Sequence, residues 1–306
     1  MKTPVLFLIF NRPETTFRVF EAIRHYQPEE LFIAADGPRP HKAEDAARCE
    51  KVRSVASMVD WECKVHTLFR TENLGCKYAV SGAIDWFFSQ VEEGIILEDD
   101  CLPNDDFFRF CTEMLSRYRN EEQVMHIGGC NFNYGKFFSG ESDYSFTVYP
   151  HCWGWATWRR AWRSFEKEMG SFPAYVQEKR IREIFPGSPY KQWRFLRIFR
   201  KCYEKQPFFT DVWDYPWCYT LFRKNALSIT PRRNLVCNIG MENATHTMHR
   251  DFCGAELETL PDVLTEPGRM LPDPKLDRQF FARIYKGDWK DWIRYLLSCF
   301  TGRDWM

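Results

Sequence analysis

The sequence carries no net charge: 42 Lys+Arg stand against 42 Asp+Glu in 306 residues. That excludes a chain-wide basic field for nucleic acid and leaves only local runs such as Arg194 to Lys205. Among the twelve cysteines none forms a C-x-x-C pair, so neither a zinc ribbon nor a thioredoxin-like site is expected. No apolar stretch reaches the length of a membrane span, and Val5–Phe10 is too short even for the apolar core of a leader. With no leader read, the expectation is a cytoplasmic chain with reduced, mostly buried thiols. Internal repeats and low-complexity tracts are also lacking.

What is present is aromatic weight: 27 Phe, 13 Tyr and 12 Trp make up 17% of the chain. Such side chains fill cores and also floor sugar and nucleobase sites. Three continuous apolar runs, Val5–Phe10, Leu31–Ala35 and Gly94–Leu97, fit strands buried on both faces. Helical spacing runs from Thr15 to Tyr26, Ala43 to Met58, Gly75 to Gln90 and Asp106 to Tyr118. Lys64–Phe69 and Val124–Ile127 read as further strands. This alternation predicts an α/β domain with a mainly parallel central sheet flanked by helices. The second half is less regular. Tyr144–Tyr149 reads as a strand, and Trp155–Met169, Tyr190–Tyr203 and Trp213–Arg223 as helices. Residues 254–275 read as a linker or surface segment, and Asp277–Phe300 as a terminal helix or helix pair.

Ligands of parallel sheets gather at the carboxyl ends of the strands, and three strands here end in polar clusters. Glu98-Asp99-Asp100 places three adjacent carboxylates directly after a buried run. A hard divalent cation such as Mg²⁺ or Mn²⁺ would relieve their repulsion and bridge to a diphosphate, while a solvated acidic turn before a helix is the plainer reading. Asp36 ends another run and either accepts from a base or ribose or makes an ordinary Asp-Gly turn. Arg12 either contacts a nucleotide or follows a capping Asn11. Asn73 is a candidate N-cap for the helix after it, whose free N–H groups would hold an anion with help from Arg70 and Lys77. Trp153–Trp158 and Trp213–Trp217 concentrate tryptophans around Asp214, either as a core seam or as a sugar platform beside a general base. His246 and His249 have a spacing that can chelate metal; His246 is the candidate ligand, and His151 is a lesser one near the tryptophans.

Taken in order, Asn11-Arg12-Pro13, Ala35-Asp36-Gly37, Asn73-Leu74-Gly75 and Glu98-Asp99-Asp100 resemble the motifs of GT-A nucleotide-sugar glycosyltransferases. Ile95–Pro103 followed by Phe107-Phe108 is similar to the metal-binding segment of the N-acetylglucosaminyltransferase I group, and Trp213-Asp214 looks like its catalytic-base segment. Ser228–Pro231 and Ala244-Thr245-His246 follow in the order of related bacterial sugar transferases, so the resemblance spans residues 3–250. It implies a Rossmann-like GT-A fold with a Trp-rich acceptor side and a C-terminal helix. Residues 1–252 would form the transferase domain (1–130 nucleotide-sugar half, 131–252 acceptor half), and 253–306 a linker and helical segment. It implies that Asp100 binds Mn²⁺ or Mg²⁺ directly, and that Glu98 and Asp99 hold the donor sugar, the ribose or a metal-bound water. Arg12 and Asp36 would contact the nucleotide, and Asp214 would deprotonate the acceptor hydroxyl for inversion. The group's base segment often has two adjacent acids, whereas Tyr215 and Pro216 follow Asp214, so Asp211 competes for that role.

The implied partners are a nucleotide-sugar donor, UDP-linked in the first instance, and a carbohydrate or lipid-linked acceptor of bacterial surface polysaccharide; no nucleic acid is expected. The anchor and stem of the group's Golgi members are not seen, which suits a cytoplasmic enzyme. Phe280–Trp305 mixes aromatic and basic residues. It would lie on the inner face of the plasma membrane or pack its apolar side on the domain. A sugar nucleotidyltransferase would carry a G-x-G-x-R loop where Asn11–Glu14 stands. An inactive sugar-binding module would not need the intact acids.

Overall fold

A computed structural model describes residues 2–240 and 256–301. In chain order the strands are β1 Val5–Ile9, β2 Glu30–Ala35, β3 Lys64–Phe69, β4 Glu93–Glu98, β5 Cys101–Pro103, β6 Val124–Gly128, β7 Tyr144–Thr147, β8 Trp155–Trp158, β9 Leu227–Pro231 and β10 Val236–Asn238. The helices are α1 Pro13–Tyr26, α2 Asp45–Arg53, α3 Cys76–Gln90, α4 Asp105–Arg117, α5 Arg159–Trp162, α6 Phe172–Gln177, α7 Ile181–Ile184, α8 Pro189–Tyr203, α9 Asp214–Arg223, α10 Pro274–Phe280 and α11 Trp289–Thr301.

One eight-stranded sheet runs in the order β3-β2-β1-β4-β8-β6-β9-β7. Strands β1 to β4, β6 and β9 share one direction, and β8 and β7 oppose them. The expected α/β layout, mainly parallel and flanked by helices, is therefore the observed one. Alternation along the central strands sends side chains to two cores. Val5, Phe7 and Ile9 of β1 join Leu31 and Ile33 of β2 under α1, α2 and α4. Leu6, Leu8, Phe32 and Ile96 face Ala83, Ile84, Phe87 and Phe88 of α3. With both faces covered every β1 residue is buried, which is why the run is continuously apolar.

One region differs from the sequence reading, and in a second the structure selects between two open alternatives. Trp155–Trp158, read as the start of a helix, is strand β8, antiparallel to both β4 and β6. All four residues are buried, so the period-two signature that marks a half-exposed strand is missing. Residues 256–273, in the stretch read as a linker or surface segment, follow the second alternative and pack on the domain. Leu260 and Leu264 are buried, the Leu260 N–H donates to Asp106 (2.8 Å), and Arg109 donates to the carbonyls of Leu260, Pro261 and Asp262. Three prolines, Pro261, Pro267 and Pro272, hide periodicity in a strap that is fastened by single hydrogen bonds. The terminal segment is a helix pair, α10 and α11, joined by a π-helical turn at Phe281–Tyr285.

Candidate functional site

The chain builds β1, β2 and β3 outward and then returns to lay β4 on the other side of β1. The strand order reverses at β1, and ligands of open α/β sheets bind outside the carboxyl ends at such a reversal. Arg12 follows β1 there, and Glu98, Asp99 and Asp100 end β4, with Leu8 and Glu98 in register. Arg12 Nη1 donates to Asp100 (2.6 Å) and Asp99 (3.3 Å), and the Phe10 N–H donates to Asp99 (3.1 Å). Burial pulls the Arg12 guanidinium down, but Asp99, Asp100 and Glu98 outweigh it and hold it above its ordinary value. Burial and repulsion from its two acidic neighbours push Glu98 well above the carboxylate range. Burial and Asp100 do the same to Asp99, with Arg12 opposing in both.

Asp36 has another task. It accepts from the N–H groups of Gly37 (2.9 Å), Leu74 (3.0 Å) and Gly75 (3.1 Å) and from the Asn73 amide (3.0 Å). Burial raises its affinity for a proton and these donors oppose the rise. Asp36 thus ties the end of β2 to the loop that opens α3. Asn73 is therefore not the N-cap; Gly75 is, at φ 79°, where a side chain would be strained.

The start of α3 is also not free for an anion. Asp211 accepts from the Lys77 N–H at 2.8 Å, so a carboxylate of this chain fills that position. The Lys77 side chain is buried and pairs with Glu168 at 3.2 Å. Arg70 is half-buried with Asp36 in its field, and burial lowers its pKa.

Asp214, exposed in the first turn of α9, faces this cluster. Its charge acts on Glu98 and, with Glu98 and Asp211, on the Cys76 thiol, which burial first and these carboxylates next push well up. Cys76 and Glu98 are both reached by solvent and yet densely surrounded by protein atoms. That combination marks the floor of a cleft. Cys76 escaped the sequence reading, because a lone cysteine at a helix start gives no signal. The aromatic wall also differs from a sugar platform: Trp155, Trp162, Trp213 and Trp217 are buried, Trp155 stacking on Trp213 at 5.5 Å. They form the core seam under Asp214, and of the tryptophans in the two clusters only Trp153 is half-exposed.

The helix carrying Asp214 is anchored by a histidine that the sequence left unassigned. His126 Nδ1 accepts from Trp217 Nε1 (3.2 Å) and its Nε2 lies 3.1 Å from the His151 carbonyl, which fixes one neutral tautomer. Burial pushes His126 and His151 down to about 3. His151 is thus a core residue, and His246 lies outside the described residues.

Among the described residues no group of three or more His, Cys, Asp or Glu side chains is gathered as a metal cage. Mg²⁺ and Mn²⁺ do not need one; one or two carboxylates with phosphate oxygens and water suffice. Three carboxyls crowd one guanidinium, and the pressure that drives Glu98 and Asp99 toward their protonated forms is one that a hard cation would relieve, so Asp100 and Glu98 fit such a cation as a donor set.

Fold and site together define an α/β protein with an acid-lined cleft at the reversal of a mainly parallel sheet. No family profile and no curated protein matches the chain. Solved structures that resemble it include the mannosyltransferase PcManGT from Pyrobaculum calidifontis in complex with GDP-Man and Mn²⁺ (13% identity, 74% of this chain, 69% of that one, TM-score 0.40). Others are HddC from Yersinia pseudotuberculosis (12% identity, 52% and 77%, TM-score 0.32) and a cytidylyltransferase from Leptospira borgpetersenii (10% identity, 54% and 63%, TM-score 0.34). Likeness at this level assigns no activity, and the functional reading rests on the chain's own residues.

Proposed function

We propose that the protein is a metal-dependent, inverting glycosyltransferase of GT-A type. It would move a sugar from a nucleotide-diphosphate donor, UDP-linked in the first instance, to a hydroxyl of a carbohydrate or lipid-linked acceptor in bacterial surface-polysaccharide or glycolipid assembly. In this reading residues 1–130 hold the donor, 131–252 the acceptor, and 253–306 form the C-terminal segment, with the enzyme working on the cytoplasmic side. One observation carries it: Arg12 pairs with Asp99 and Asp100 beside Glu98 at the strand reversal, and Asp214 is close enough for its charge to act on Glu98.

The geometry supports the following roles. Asp211 is engaged by the α3 N-terminus, which favours Asp214 as the base that would take the proton of the acceptor hydroxyl. Arg12, already oriented by Asp99 and Asp100, would turn part of its fork to a phosphate. Asp36 acts through the loop it holds, placing Arg70 and the Leu74–Gly75 backbone beside the nucleotide. Asp100 and Glu98 would hold Mn²⁺ or Mg²⁺, which when bound neutralises charge on the departing diphosphate. Whether His246 joins them falls outside the described residues.

The test is release of the nucleotide from a panel of sugar donors with Mn²⁺: nucleoside diphosphate from UDP-, GDP- and dTDP-sugars, and CMP from CMP-sugars. Asp214→Asn should lower kcat by roughly 100-fold or more with KM little changed. Full activity in Asp214→Asn with loss in Asp211→Asn would reassign the base. Turnover of a nucleoside triphosphate with a sugar phosphate, and of no nucleotide sugar, would overturn the proposal in favour of a nucleotidyltransferase.

A further inference from the structure

Helix α11 is built inside out. Its protein-facing side carries Asp291, Tyr295 and Ser298. Asp291 pairs with Arg194 of α8 (3.3 Å) and Arg294 (3.2 Å), and Gly287, at φ 77°, leaves room for the Asp291 carboxylate. The opposite side is apolar and exposed: Trp289 67%, Leu296 52%, Leu297 57% and Phe300 87%, with Ile293 between them. At 100° per residue these five fall within about a quarter-turn of one another, pointing away from the domain. Trp292 closes one border by stacking on Tyr190 at 3.8 Å. A helix that packed its apolar side on the domain would show the reverse pattern.

The surroundings are basic. Lys286, Lys290 and Arg294 are exposed along the helix's approach and flank. Beside them, α8 contributes Lys191, Arg194, Arg197 and Lys201. Lys201 is pulled below its ordinary value by burial and then by Arg197 and Arg194, with Arg294 adding to them, so these cations are not fully neutralised by the acids beside them. An apolar stripe with tryptophans, edged by cations of one sign, complements a layer of anionic headgroups over acyl chains. A second copy meeting this face across a two-fold would bring those cations near their own kind. No described helix is long and apolar enough to cross a membrane, so the contact is one of lying on the surface.

We propose that α11 is a membrane-docking helix that seats the exposed Trp289–Phe300 face in an anionic lipid surface. The proposal does not depend on what the cleft binds, although Asp214 acts on the buried Tyr285, which ends the turn leading into α11, so docking would hold the cleft near the lipid.

The full chain is floated with vesicles of phosphatidylcholine alone and with phosphatidylglycerol added, at low and high salt. The wild type should float with the anionic vesicles and release on adding salt. Lys286→Ala with Lys290→Ala should weaken partition roughly 30-fold, from about fivefold per cation near the surface. Ile293→Asp with Leu296→Asp, both at exposed positions, should abolish it and leave the circular dichroism and unfolding midpoint unchanged. Failure of the wild type to float at low salt overturns the proposal, as does equal flotation of the aspartate variant. A mass that doubles with concentration in the wild type, is lost in that variant, and comes without vesicle binding overturns it in favour of a second copy.

Discussion

His126 offers a test with a calculable size. Its ring is wholly buried, donates toward the His151 carbonyl and accepts from Trp217 in the helix that carries Asp214. Protonation would take away the acceptor and bury a charge. The folded protein therefore holds His126 neutral down to about 3, whereas the unfolded chain takes up its proton near 6.5. Between those values the unfolded state binds more protons, so stability falls as pH falls. From pH 7.5 to pH 5 the linkage amounts to about 2 kcal/mol for this one residue. Other buried groups titrate in the opposite sense: Asp277 is pushed up to about 7 by burial, so it loses stability as pH rises. The clean measure is therefore a difference. His126→Gln keeps an acceptor for Trp217 and does not titrate. Urea unfolding of both proteins at the two pH values should show wild type losing about 2 kcal/mol more than the variant on acidification. An equal loss would mean that His126 is not held neutral and that α9 is not anchored in this way.

Three further outcomes follow from the site. Arg12→Ala leaves Asp99 and Asp100 without their guanidinium and should cost about 2 kcal/mol, less than for a fully buried pair because the Arg12 side chain is 30% exposed; Mn²⁺ should raise its unfolding midpoint more than that of the wild type. A Cβ at Gly240 would stand 2.5 Å from Asp100 Oδ2, so Gly240→Val should weaken Mn²⁺ binding in calorimetry roughly tenfold or more, and unchanged binding would remove Asp100 from the metal reading. Asp211→Ala removes the partner of the Lys77 N–H and should cost about 1 kcal/mol in urea unfolding, whereas Asp214→Ala, at an exposed position, should stay within about 0.5 kcal/mol of wild type.

Much of the architecture could be read in advance because buried parallel strands leave an unmistakable trace: an apolar run cut off by a polar cluster. Val5–Phe10 and Gly94–Leu97 are such runs, and the residues that cut them off meet at the strand reversal. Strand β8 was not legible, since burial of all four residues erased alternation and a short helix follows directly. The capping of α3 was not legible either. Asn73 has the right residue type, but the helix begins after Gly75, and the Lys77 N–H finds its acceptor in Asp211, 134 positions further on, which local pattern cannot supply. The same limit applies to the partners of Arg12: its pairing with Asp99 and Asp100, more than 80 positions away, is visible only in the fold. In α11 the amphipathic period was plain, but only packing reveals that its polar stripe, led by Asp291, is the side turned inward.

The central claim is that the acids after β4 bind a metal-linked nucleotide diphosphate. Calorimetric titration with UDP, with and without Mn²⁺, on wild type and Asp100→Ala tests it most directly. The account predicts binding that requires Mn²⁺ and is lost in the variant. Binding of equal strength without the metal and in Asp100→Ala would contradict it.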